Sequence, residues 1–342
     1  MIVLVAPISG GFFVNQVELI SLFLESGDKP DICMSTSGGN MATYMGLLSK
    51  WDPAVLRKNA LRMNDTFIVR HWGSQKWNII PKEVWGVLYG SLYDHGEGDP
   101  FPPLDPGRNL ANETEIWTTA FNRTQNRTAY FTNRAVGTTK MTYTTSYIRC
   151  LSLQFVNGDY PKLRNITMAS AAVPGVIREV IIDGEYYVDG GMHLASPFLA
   201  FQENLRDYAR TQQMHIVYVN CMNLDNAATA PRSNSILSDA QWAVGQLTYG
   251  HLCSDLSAVI SFICSAPGFD STQHRIVTEH FTGTRENLLH VAERRKNYHC
   301  TVTEMYPTHN RSIDYTSFTP SDTESIMSLC RQYFGIKFHY FK

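Results

Sequence analysis

The start of the chain repeats one unit twice: a short apolar strand, a loop of small residues, then a helix. Ile2 to Pro7 is apolar throughout and stops at proline. Ser9-Gly10-Gly11 follows, and Asn15 to Ser26 then carries Val17, Ile20, Phe23 and Leu24 at helical spacing. Gly27 supplies the helix stop. Asp31 to Met34 reads as a second strand, Ser35-Thr36-Ser37-Gly38-Gly39 as its loop, and Asn40 to Trp51 as a helix with Met41, Met45 and Leu48 inward. Asp52-Pro53 opens a further helix. Strands joined through helices must run parallel, with the helices covering the sheet faces. The expected fold class is therefore α/β, with a mainly parallel central sheet.

The remainder extends this pattern. Glu115 to Phe121 and Thr128 to Asn133 read as strands joined by a turn at Asn122 to Asn126. Val176 to Val188 reads as a hairpin turning at Asp183-Gly184. His215 to Asn220 is another strand, Asn226 to Ser235 a polar mobile stretch, and Gln241 to Ile263 a helix. Ser321-Asp322-Thr323-Glu324 fits a capping box, with Ile326, Leu329, Cys330 and Tyr333 as the apolar stripe and Gly335 as the stop. No linker or repeat divides the chain. One domain over residues 1–342, loop-rich at about 95–165, is the expectation.

Composition excludes several functions. The 29 basic and 31 acidic residues nearly cancel, to a net charge of −2, without a basic block. Nucleic acid is not the expected partner, because phosphate contact needs clustered Lys and Arg. Seven cysteines without a C-x-x-C pair make neither a disulfide nor a zinc framework, so no metal or cofactor is expected. His193, four residues after Asp189, reads as a structural histidine rather than a ligand. No stretch approaches the roughly 20 apolar residues that cross a bilayer. The thiols and the absence of a secretory pattern point to a soluble, cytoplasmic protein, able to associate peripherally with membranes.

Three loops can carry chemistry. Ser37 stands between a strand and a helix, flanked by small residues, as the sharp nucleophile elbow requires. The Gly38 amide, at the helix start, is placed to receive a developing oxyanion. Gly10-Gly11 can turn consecutive N–H groups toward one point. Asp189-Gly190-Gly191 follows the strand Tyr186 to Val188, so a carboxylate at a strand end meets no side chains on the next two residues. An aspartate with its ordinary pKa near 3.9 is ionised at neutral pH and can accept a proton. Each loop alone also reads as an ordinary turn.

Taken together, Gly10-Gly11, then Ser37, then Asp189, with Ala169-Ser170-Ala171-Ala172-Val173-Pro174-Gly175 leading into Asp189-Gly190-Gly191, resemble the patatin-like phospholipase family. The resemblance implies a three-layer α/β/α domain and hydrolysis of lipid acyl esters at a membrane or micelle surface. It implies Ser37 as nucleophile and Asp189 as general base without histidine. It also implies an oxyanion hole from the amides of Gly10, Gly11 and Gly38, with Ser35, Gly39, Gly190 and Gly191 supporting the motifs. Two positions depart from the family: Ser9-Gly10-Gly11-Phe12-Phe13-Val14 lacks the loop arginine, and Ser35 replaces the first elbow glycine. These departures keep open a catalytically weak or inactive lipid-binding protein. A Ser-His-Asp α/β-hydrolase, with His299 or His309, is the other alternative. Activity that falls at low pH, but with an apparent pKa below the histidine range, is the expected mark of the two-residue pair. Phe12 and Phe13 are candidates for an acyl-chain wall, although core packing fits them better, and residues 95–115 for a lid.

Overall fold

The computed structural model describes residues 1–62, 101–141, 152–155, 158–174, 177–224, 236–264, 274–281, 285–309 and 319–341. An eleven-stranded sheet runs through them. β3 (Glu115–Asn122), β2 (Ile32–Thr36), β1 (Ile2–Ala6), β8 (Met214–Val219) and β10 (Cys300–Pro307) form a parallel block in that spatial order. Antiparallel strands flank it. β4 (Arg127–Thr132) pairs with β3 and carries β5 (Ser152–Phe155). On the far side β11 (Phe334–Phe341) pairs with β10 and β9 (His274–Phe281) with β11. A hairpin of β6 (Val180–Ile182) and β7 (Glu185–Asp189) joins the other side of β3. Its turn residues Asp183 and Gly184 both have positive φ, 52° and 80°, which suits Asp-Gly in a tight hairpin.

Helices cover both faces. One face holds α1 (Phe13–Glu25), α2 (Gly38–Leu48), α3 (Pro53–Ala60), α4 (Tyr160–Ser170), α7 (Arg285–Arg295) and α8 (Pro320–Gln332). The other holds α5 (Phe198–Thr211) and α6 (Ile236–Cys264). This is the three-layer α/β/α arrangement that the sequence reading expected. β1 shows why its sequence is apolar without alternation: Leu4 packs toward the first face, and Val3 and Val5 toward the second.

α1 departs from the expected one-sided helix. Every residue from Phe13 to Leu24 is buried, because α2, α3 and α8 pack around it. Its polar side chains therefore need partners. Asn15 donates to the Cys221 carbonyl at 3.0 Å, and Gln16 donates to the Pro7 and Val219 carbonyls, both at 3.0 Å. These bonds tie the start of α1, and the glycine loop before it, to the C-terminal ends of β1 and β8. The fully buried Glu18 carboxylate accepts from Arg57 Nη2 at 2.7 Å and from Arg331 Nε at 2.9 Å.

Two end signals are corrected. α8 is capped by Thr319, which accepts from the Asp322 amide at 3.2 Å, not by Ser321. Pro320 takes the first helical position, where its fixed φ and missing N–H cost nothing. Gly335 lies inside β11, not at a helix stop; a Cβ there would stand 2.5 Å from the Tyr306 ring. In the stripe, Met327 replaces Tyr333, which is 42% exposed. α6 starts earlier than read, at Ile236. The polar stretch 226–235 and residues 95–100 of the expected lid lie outside the described residues.

Glu18→Gln leaves two guanidinium groups facing a neutral amide. Both arginines keep some contact with water, so the expected loss is roughly 2 kcal/mol, less than for a fully dry pair. Urea unfolding followed by far-UV dichroism measures it, and an unchanged midpoint would contradict this account of α1.

Candidate active site

The site exists because two strands end against one another along β3. β2 finishes at Thr36, which pairs with Thr119. β7 arrives from the opposite direction and finishes at Asp189, which pairs with the next residue, Ala120. Residues 37 and 189, far apart in sequence, therefore emerge at one point on the carboxyl edge of the parallel block. The junction is tightly packed. The Thr36 and Thr119 hydroxyls share a hydrogen bond of 2.9 Å. Gly190 lies so close to Thr119 that a Cβ there would stand 2.4 Å from its Oγ1 and 2.6 Å from its carbonyl oxygen.

Ser37 makes the sharp turn from β2 into α2 with φ 57° and ψ −132°. A side-chain-bearing residue in such a region costs on the order of 1–3 kcal/mol and must be held there. Its amide donates to Ser170 Oγ at 2.9 Å. Gly39 lets α2 start against β1, since a Cβ would stand 2.1 Å from the Ala6 carbonyl oxygen. Ser35, in place of glycine, is accommodated by its own bonds. It donates to Asn40 Oδ1 at 3.0 Å, accepts from Thr43 Oγ1 at 3.0 Å, and its carbonyl accepts from Thr118 Oγ1 at 2.8 Å.

Ser37 Oγ donates to Asp189 Oδ2 at 2.6 Å. The other carboxylate oxygen accepts from the Gly191 amide at 2.6 Å, and the Asp189 amide donates to the Ala172 carbonyl at 2.9 Å. Both side chains are nearly enclosed, at 4% exposure. Burial lifts the Asp189 pKa to about 7, against the hydrogen bonds from Ser37 and Gly191, which pull it down. This corrects the sequence expectation of an ordinary carboxylate. An acid limb near 7 is also what a histidine gives, so a pH profile does not separate the two chemistries.

The Gly10-Gly11 loop forms a single turn of 3-10 helix, Gly10 to Phe12, with Gly10 at φ 52°. It lies beside the start of α2: a Cβ on Gly38 would stand 2.4 Å from Ser9 Oγ and 2.6 Å from the Gly10 carbonyl oxygen. A Cβ on Gly191 would stand 2.6 Å from Ile8. Gly10 thus lies beside Gly38, the residue after Ser37, and Gly191 lies between Ile8 and the Asp189 carboxylate. Phe13 is core, at 2% exposure, and Phe12 packs on the small cluster of Ile8, Ala195, Cys221 and Leu252.

Among the described residues, no histidine nitrogen bonds Ser37 or Asp189. His299 Nε2 meets the Ala209 carbonyl at 2.6 Å, before the start of β10 and so at the opposite edge of the sheet. His193 contacts Thr128 Oγ1 at 3.3 Å and lays its ring on Phe121, with centroids 4.4 Å apart. Among the described residues no cluster of His, Cys, Asp or Glu is arranged to hold a metal. A cavity of about 560 Å³, lined in part by Gly27, Lys29, Lys50 and Trp51, opens at the edge opposite Ser37 and takes no part in the site. No described helix is long and apolar enough to cross a membrane. The roles of Ser170 and Thr119 were not read from the sequence. The Ala169-Ser170-Ala171 run marked the first as part of a motif without saying what it holds.

A three-layer α/β/α fold with a sharp serine turn at the carboxyl edge of its sheet defines the class. The family model for patatin-like phospholipase matches residues 11–201, and the chain belongs to that family. Lipid acyl hydrolysis is the general activity that the family brings with it. No curated protein matches the chain. Among solved structures, VipD from Legionella pneumophila is similar at 12% identity and TM-score 0.35, over 97% of this chain and 67% of that one.

The Asp189 shift makes a stability prediction with a definite sign. Below about pH 4 the carboxyl is neutral in both folded and unfolded chains. As pH rises toward 7 the unfolded chain ionises first, so stability is lost until the folded group also ionises. Asp189→Asn does not titrate. It is expected to be more stable than wild type at pH 8, by an upper bound on the order of 4 kcal/mol, with the gain vanishing near pH 4. Urea midpoints at the two pH values test this; equal differences at both would contradict the buried-carboxylate account.

Proposed function

We propose that this protein hydrolyses lipid acyl esters through a Ser37–Asp189 pair and an acyl-enzyme intermediate. The observation that carries the reading is the 2.6 Å contact between Ser37 Oγ and Asp189 Oδ2 at the carboxyl edge of the sheet. Ser37 is the nucleophile and Asp189 its general base. Asp189 takes the hydroxyl proton as Oγ attacks the ester carbonyl, and the amides of Gly10, Gly11 and Gly38 receive the oxyanion. Collapse of this intermediate expels the alcohol, which leaves with the proton from Asp189. Water then attacks the acyl-serine, Asp189 takes its proton, and the fatty acid departs as Ser37 is re-protonated. Ser170 is a positioning residue, since it holds the amide of Ser37.

The raised pKa of Asp189 suits this role. A base whose pKa lies near the working pH both exists as carboxylate in useful amount and takes a proton readily. The missing loop arginine leaves the amides as the oxyanion donors, each worth about 3 kcal/mol where such donors have been removed. We also read the chain as one domain, because strands from β1 to β11 share one sheet.

Ser37→Ala and Asp189→Asn are each expected to reduce ester turnover by at least about a thousandfold while keeping the folded dichroism spectrum. A panel of phospholipids, galactolipids and triacylglycerols, assayed with wild type and Ser37→Ala together, measures the loss and names the preferred head group. A fluorophosphonate should label wild type on Ser37 and leave both variants unlabelled. A folded wild-type protein that takes no label would favour the silent lipid-binding reading. His299→Ala and His309→Ala should retain wild-type turnover, with kcat/KM still rising through an apparent pKa near 7. Loss in either, as deep as that of Ser37→Ala, would replace the pair with a histidine triad.

A further inference from the structure

One buried carboxylate close to the site has no part in the proposed chemistry. Asp255, on α6, is 5% exposed. Ser196 Oγ donates to its Oδ1 at 2.9 Å, and the Tyr218 hydroxyl donates to its Oδ2 at 3.0 Å. Both donors are dry as well, at 1% and 0% exposure. Among the described residues no cation pairs with this carboxylate. Burial lifts its pKa to about 6, while the bonds from Ser196 and Tyr218 pull it down. It is therefore ionised at neutral pH, and an ionised acceptor holds a hydroxyl more strongly than a neutral one does.

The two donors belong to different parts of the frame around the site. Tyr218 lies on β8, paired with Val5 of β1. Ser196 lies on the segment that follows Asp189, between the 3-10 turn Gly190–Met192 and the start of α5. The Ser196 hydroxyl also accepts from the Phe198 amide at 3.2 Å, which fixes it at the head of that helix. Asp255 thus fastens the segment both to α6 and to the sheet.

This segment touches both halves of the reacting centre. The carbonyl of Ala195, next to Ser196, accepts from the Ile8 amide at 2.9 Å, and Ile8 leads into the Gly10-Gly11 loop. Ile8, Ala195, Cys221 and Leu252 pack as one small cluster, Leu252 standing on α6 three residues before Asp255. Ile8 also lies so close to Gly191 that a Cβ there would stand 2.6 Å from it. The Gly191 amide in turn donates to Asp189 Oδ1 at 2.6 Å. A displacement at Ser196 therefore moves the glycine loop and the donor to Asp189 together.

We propose that Asp255 is a positioning residue, which through Ser196 sets the place of the Gly10-Gly11 loop and of the Gly191 amide relative to the Ser37–Asp189 pair. Its effect on rate rests on the proposed activity, whereas its effect on the Asp189 carboxylate does not.

Ser196→Ala and Asp255→Ala each break the link. Each should lower kcat on a short water-soluble ester at least about tenfold while KM stays within about threefold. The double variant should be no slower than about twofold below either single one, because both remove the same connection. Tyr218→Phe takes a hydrogen bond from the same carboxylate but leaves the Ser196 link, and should cost no more than about threefold. Asp255→Asn, whose amide can keep both hydroxyls as partners, should restore most of the turnover lost in Asp255→Ala.

The second readout needs no activity. In protein labelled with 13C at the aspartate carboxyls, the Asp189 signal is the one that Asp189→Asn removes. Its titration midpoint should move up from the wild-type value of about 7, by roughly one pH unit, in Ser196→Ala and Asp255→Ala, because the Gly191 bond that favours the ionised form is loosened. Asp255→Asn should titrate as wild type does. Folded Ser196→Ala or Asp255→Ala with an unmoved Asp189 titration overturns the proposal, whatever its turnover. Losses that add in the double variant, or that Tyr218→Phe matches, also overturn it, since they mark general damage to the core. If the titration moves as expected but no form turns over ester, the positioning stands and the catalytic reading falls.

Discussion

The meeting of β2 and β7 along β3 is the constraint on which the site depends. Two strands of opposite direction use consecutive rungs of a third, Thr119 and Ala120, and both stop there. Neither continues because the chain turns away immediately, at Ser37 into α2 and at Gly190 into a 3-10 turn. The hydroxyl and the carboxylate are brought together by backbone pairing, before their own 2.6 Å hydrogen bond contributes anything. That bond orients side chains whose positions the sheet has already set.

Holding this junction is costly in two ways, and the surroundings supply the compensation. Ser37 has a backbone conformation that side chains avoid, and Asp189 is an ionisable group withdrawn from water. Close packing of Gly38, Gly39 and Gly190 against backbone and hydroxyl groups leaves the chain no room to relax. Hydrogen bonds from the Ser37 amide to Ser170 Oγ and from the Gly191 amide to the Asp189 carboxylate fill the remaining demands. The same burial raises the Asp189 pKa to about 7, so stability is given up at neutral pH.

The layer behind the site explains the polar residues of α1. Asn15 and Gln16 anchor the helix start to carbonyls at the ends of β1 and β8, and the glycine loop is carried on that anchor. Glu18 binds α1 to α3 and α8 through Arg57 and Arg331. Polar side chains inside the helix layer thus fix the register between helices and sheet edge, a task for which apolar packing alone is less directional.

Much of this was written locally. The apolar run of β1, the strand–loop–helix repeats, the Asp183-Gly184 hairpin and the Asp52 cap depend on neighbours within a few residues, and the sequence alone determined them. So did the candidate set Ser37, Asp189 and the glycines, since elbow, nest and strand-end turn each need particular small residues nearby. Local signals misled at Ser321, where Thr319 with Pro320 after it makes the cap instead, and at Gly335, where a close strand contact with Tyr306 decides. Only the tertiary structure decided that β7 ends opposite β2, that α1 is wrapped on every side, and that Ser170 reaches the elbow. It alone could move Asp189 to a pKa of about 7. Those outcomes depend on which distant segments exclude water from one another, and no short stretch of chain carries that information.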